Sequence, residues 1–203
     1  MRIFLIGLVS VGCCALSAPR IAHGALVLSF SQSAYLVSGV GGGVDVPVYA
    51  TQIAGGPQVA SGNELLTAGV VVAYNHPAGV AAVLTSTDVS GGALWSSSSS
   101  NALSATASLA TASLSGIADL SSPLLLGTFH FTGLSFGTTT ISVANLTPGP
   151  SFVTTQGDVL DPTNTATALV QVVPEPSGFT LLTAFALSLG LAARRRAASK
   201  SIG

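Results

Sequence analysis

The chain has 203 residues, 48% of them hydrophobic and only 6% charged, with six Lys and Arg against seven Asp and Glu. Soluble domains usually carry about 25% charged residues, and here every base lies near an end: Arg2, Arg20, Arg194, Arg195, Arg196 and Lys200. From Ala25 to Ala193 there is no Lys or Arg, which excludes a phosphate-backbone clamp and with it nucleic-acid binding by the middle of the chain.

At the N-terminus a basic Arg2 precedes an apolar stretch from Ile3 to about Leu16, followed by Ala22-His23-Gly24. Small residues at Ala22 and Gly24 fit an A-x-A cleavage site, so residues 1–24 are expected to be a signal peptide that signal peptidase cuts between Gly24 and Ala25. A lipoprotein signal ending at Cys13 would need the usual Leu three residues upstream, where Ser10 stands. Cys13 and Cys14 are the only cysteines and both fall in this segment. The exported part therefore has no disulfide.

Residues 25–172 alternate with period two, the signature of half-buried strands. The clearest stretches are Val44-Asp45-Val46-Pro47-Val48, Phe129-His130-Phe131-Thr132, Ile141-Ser142-Val143-Ala144 and Ala166 to Val172. Gly41-Gly42-Gly43, Gly55-Gly56-Pro57, Gly91-Gly92 and Pro148-Gly149-Pro150 punctuate them. The expected fold is all-β, a jelly-roll-like sandwich of two sheets. The Ser run from Ser96 to Asn101 is expected to be a flexible loop.

Candidate chemistry in this stretch is sparse. His76 and His130 are the only histidines beyond the leader, and neither has a partner at metal-binding or catalytic spacing. Both are expected to be surface residues. Asp158 to Asn164 could offer oxygen ligands to calcium, but without the dense alternation of an EF-hand loop. No Gly-x-Ser-x-Gly elbow is present. Trp95 with Tyr35, Tyr49 and Tyr74 could form a sugar-stacking platform or pack into the core. No catalytic residue, metal site or cofactor is expected, and the chain is read as a non-enzyme.

After Pro174-Glu175-Pro176 comes an apolar run from Gly178 to Ala193 and then Arg194-Arg195-Arg196. Those sixteen residues would reach about 24 Å as a helix, short for a hydrocarbon layer of roughly 30 Å but workable with snorkelling arginines. Positive charge beside an apolar segment stays on the cytoplasmic side. Both terminal charge clusters would thus remain inside while the middle crosses.

This order of Pro-Glu-Pro, apolar helix and terminal Arg cluster resembles the PEP-CTERM sorting signal of exopolysaccharide-producing Gram-negative bacteria. The resemblance implies that residues 173–203 are a sorting signal, with Pro174, Glu175 and Pro176 read by an exosortase-like transpeptidase. The helix would then be a temporary transmembrane anchor and Arg194, Arg195 and Arg196 a stop-transfer signal. The middle segments, from VDVPVYA through LLTAGVVVAYNHPAGVAAVLTSTDVS to LLLGTFHFTGLSFGTTTISVANL, resemble cohesin-like and related carbohydrate-binding-module sandwiches. Tyr74-Asn75-His76-Pro77 stands in that family's turn position.

Together these imply an exported protein, anchored in the membrane and then delivered to the cell surface or extracellular matrix, where it binds polysaccharide or a surface protein. Two alternatives stay open: a secreted hydrolase with an unrecognised site, and a permanently anchored single-pass membrane protein.

Overall fold

The computed structural model describes residues 21–23, 26–53, 59–74, 79–103, 105–146, 151–162 and 165–175. The described elements are fourteen strands and one turn of 3-10 helix (Ser86–Asp88). In chain order the strands are β1 (Ile21–His23), β2 (Leu26–Phe30), β3 (Ala34–Ser38), β4 (Gly43–Gln52), β5 (Leu65–Tyr74), β6 (Ala81–Ala82) and β7 (Val89–Gly91). They continue with β8 (Ser97–Ala102), β9 (Thr106–Ile117), β10 (Leu124–Gly133), β11 (Gly137–Asn145), β12 (Phe152–Thr154), β13 (Val159–Asp161) and β14 (Ala166–Val173).

Nine strands form one sheet and five the other. In the larger sheet β5 is central, because β9 pairs along nearly its whole length on one side. Its other side is shared by β11 and β12. β8 lies outside β9, β14 and β3 continue beyond β11, and β13 and β1 continue beyond β12. The smaller sheet is built on the β4–β10 pair, flanked by β2 on one side and by β6 and β7 on the other. The β3–β14 pair is parallel, so the first and last parts of the sandwich run side by side.

Alternation decides which atoms face inward. In β10 the odd residues Phe129 and Phe131 are fully buried while Thr128, His130 and Thr132 face out. In β4 Val46, Val48 and Ala50 face in while Asp45 and Tyr49 face out. Phe129, Phe131, Phe152, Leu28, Leu109 and Ile141 fill the space between the sheets. Each side chain of this kind contributes about 2–3 kcal/mol on leaving water. Tyr74 meets Phe131 edge-on, with ring centroids 5.4 Å apart. Its hydroxyl reaches the carbonyl of Leu103 at 2.6 Å, as a buried phenol requires a polar partner.

The expected all-β sandwich is the fold found, with one correction and several expectations beyond its reach. The Ser run is no loop: Ser97–Ala102 is the strand β8, paired in register with β9 from Ser97–Ala112 to Ala102–Ala107. Small polar side chains are poor strand formers, but a ready partner edge supplies the ladder. The segment Ile21–His23, inside the expected leader, is a strand of the larger sheet. The rest of the expected signal peptide, the cleavage bond Gly24–Ala25, Pro176, the apolar run and Arg194, Arg195 and Arg196 lie outside the described residues, as do Asn75, His76 and Pro77. Among the described residues no helix is long and apolar enough to cross a membrane.

Candidate functional site

The outer face of the larger sheet has an unusual make-up. Three strands in register present Ser97, Ala112 and Thr67 in one row, then Ser99, Ala110 and Gly69 in the next. A third row holds Asn101, Ser108, Val71 and Ala144. None of these side chains is charged, and almost all are small. Because they are short, they leave a shallow hollow of about 530 Å³ over Gly69, Ala110 and Ala112. Leu146 and Ser151 close one end of it.

Gly69 permits that closure. A Cβ there would stand 3.2 Å from the Leu146 side chain and 3.3 Å from that of Ser151, tighter than ordinary van der Waals contact. The Leu146 N–H donates to the Gly69 carbonyl at 3.2 Å, fixing the segment against the strand. The residues lining the hollow include no carboxylate, imidazole or thiol.

The outer face of the smaller sheet carries the contrasting feature. Asp45 on β4 and His130 on β10 are directly opposed in the ladder. Asp45 Oδ1 lies 2.7 Å from His130 Nδ1. His130 was expected to lack a partner, and this pair corrects that: the two residues are 85 positions apart, a separation no local spacing rule spans. The other ring nitrogen, Nε2, lies over Gly43, in space that a Cβ would occupy.

Asp45 and His130 line a polar hollow of about 410 Å³ with Thr87, Asp88, Ser90 and Thr128. Partial burial pushes the Asp88 carboxyl up. Hydrogen bonds from the backbone and hydroxyl of Thr85 and from the Leu84 backbone, with the charge His130 can carry, outweigh this and hold it below the usual carboxylate range.

The remaining candidates separate. Trp95, Tyr35 and Tyr74 are buried, and the Trp95 indole N–H donates to the Leu125 carbonyl at 3.2 Å. They belong to the core, so the sugar-stacking platform does not form; Tyr49 alone remains partly exposed. Asp158 accepts a hydrogen bond from the Asn63 side chain at 3.1 Å and leads directly into β13, where a calcium loop was considered. Among the described residues no three of His, Cys, Asp and Glu are grouped to hold a metal ion. At the end of the sandwich, Val173 is the last residue of β14, and Pro174 and Glu175 beyond it are exposed.

No family model matches the sequence, and no curated protein matches it. Solved structures do. The sixth cohesin of scaffoldin B from Acetivibrio cellulolyticus, solved in complex with a Cel5 dockerin mutant, superposes with a TM-score of 0.50 at 13% identity. The likeness covers 74% of this chain and 100% of that one. The fold is that of a cohesin-type sandwich. CaCohA2 from Clostridium acetobutylicum matches at 16% identity and TM-score 0.46, over 72% of this chain and 91% of its own. A type III cohesin module of the ScaE cell-surface anchoring scaffoldin of Ruminococcus flavefaciens matches at 11% and 0.47, over 72% and 87%. Identities this low extend to the fold and no further.

Proposed function

We propose that the chain is an exported, non-catalytic binding module whose working surface is the outer face of the larger sheet and whose tail sorts it to the cell surface. The observation that carries the binding role is the uncharged, small-residue hollow over Gly69, Ala110 and Ala112. A face of this kind lets a partner's apolar side chains reach the backbone closely, as the core of a protein interface requires. It lacks the exposed aromatic rings on which sugars stack, which favours a protein over a polysaccharide. A cohesin with this fold has been solved with a dockerin seated on it, in keeping with a protein partner.

In this reading signal peptidase removes residues 1–24, and an exosortase-like transpeptidase reads Pro174, Glu175 and Pro176. The apolar run and Arg194, Arg195 and Arg196 hold the precursor in the inner membrane until then. The exposure of Pro174 and Glu175 directly after the last strand supports this: two prolines keep the segment extended and without ladder partners. A processing enzyme could reach it without unfolding the domain.

Affinity capture from the surface fraction of the producing cells, with the exported protein and its Ala110→Arg variant as baits, tests the binding role. The expected result is a protein retained by the first and lost by the second. Equal retention by both, or retention of polysaccharide alone, overturns it.

A further inference from the structure

Strand β1 occupies the outermost position of the larger sheet, paired in parallel with β13: Ile21 opposite Val159, Ala22 opposite Leu160 and His23 opposite Asp161. The next described residue, Leu26, starts β2 in the other sheet. The expected cleavage bond Gly24–Ala25 falls in sequence between these two strands, which belong to different sheets. Among the described residues, cutting it leaves β1 held to its sheet by a three-residue ladder. So short a ladder is marginal once the covalent link is gone.

We propose that β13 is a strand-acceptor edge, capped in the precursor by Ile21–His23 and opened by signal cleavage to an extended segment of a partner protein. The inference rests on the export reading given above. Loss of β1 would bare the N–H and C=O groups of Val159, Leu160 and Asp161 that face it. Unpaired edge groups of this kind template the addition of a strand.

The capping segment shows what chemistry fits. It reads Arg20-Ile21-Ala22-His23 in sequence, and the acceptor reads Asp158-Val159-Leu160-Asp161. In sequence a basic residue precedes Ile21, and acids stand at positions 158 and 161 of a stretch without Lys or Arg from Ala25 to Ala193. The partner segment is accordingly a short extended stretch with a small or apolar centre and a basic flank, entering parallel to β13. A second copy of the processed chain is a poor donor of this strand, because its new N-terminus at Ala25 leads at once into β2.

The test uses the full chain with a specific protease site inserted between Gly24 and Ala25, so that the edge can be opened in vitro whatever the cell does. Binding of a labelled synthetic peptide of residues 18–24 is followed by fluorescence anisotropy before and after the cut, once the released leader has been separated. The expected result is binding at least tenfold tighter after the cut, and lost when the peptide carries Ala22→Pro, which removes one main-chain donor. Equal binding before and after, a leader that stays bound through separation, or dimerisation of the cut chain in place of peptide uptake overturns the proposal. The N-terminal residue of the exported protein is a separate readout: a chain beginning upstream of Ile21 overturns the cleavage reading and leaves the in vitro result to decide the acceptor edge.

Discussion

The main-chain N–H of Gly39 donates to the carbonyl of Val173 at 2.9 Å, and the residue after Val173 is Pro174. This hydrogen bond between β14 and the turn after β3 is therefore made one residue before the proposed sorting motif begins. The Glu175 side chain reaches back only as far as Gly39, where a Cβ would come within 2.8 Å of its carboxylate. Among the described residues β14 ends at Val173, so no ladder pair of the described sandwich involves Pro174 or Glu175. Truncation after Glu175 is expected to shift Tm by less than about 2 °C, as for surface changes away from packed groups. Differential scanning calorimetry of the two lengths checks this.

Deletion of Pro174 to Pro176 in the producing cell is expected to leave the precursor in the membrane fraction. Immunoblotting of membrane and surface fractions reads the outcome, and unchanged release removes the motif from the account.

The proposed binding face can be blocked without touching the core. Ala110 points outward between Gly69 and Ser99, so Ala110→Arg is expected to change stability by less than about 0.5–1 kcal/mol. Phe131→Ala, by contrast, empties a fully buried site and is expected to cost about 3–5 kcal/mol. Urea unfolding measures both.

Acid stability follows from three carboxyls held below their ordinary range. Glu64 is lowered by the backbone N–H of Gly62, by its own backbone and by the Thr155 hydroxyl. Asp119 is lowered by the side chain and backbone of Ser121, and Asp88 as described above. A carboxyl depressed in the folded state contributes stability that is present above its unfolded pKa and lost as pH falls through the folded one. The expected loss lies below the ordinary glutamate value of 4.5. Repulsion among the acids relaxes over the same range and opposes it, so the comparison that isolates the effect is Glu64→Gln. That variant should show a shallower loss between about pH 5 and pH 2 and little difference at pH 7 beyond the lost hydrogen bonds, read from urea midpoints across pH.

The fold was legible because burial imposes period two, and Phe129-His130-Phe131 and Ile141-Ser142-Val143 carry that period openly. Ser96 to Asn101 carries no such period. It becomes a strand because β9 offers an edge, a property of the partner that the segment itself does not record. The hollow on the larger sheet was hidden for a related reason: Gly69, Ala110 and Ser99 are unremarkable singly and form a surface only through register. The Asp45–His130 pair spans 85 residues and was invisible to spacing rules. Ile21–His23 read as leader by charge and hydropathy, and nothing in those three residues announces that β13 will pair with them.

Processing at both ends is tested most directly by intact-mass analysis of the protein recovered from the cell surface. The predicted mass is that of a chain beginning at Ala25 and ending near Pro174 to Pro176, with any group the transpeptidase adds. A surface form that still carries Arg194, Arg195 and Arg196 contradicts it.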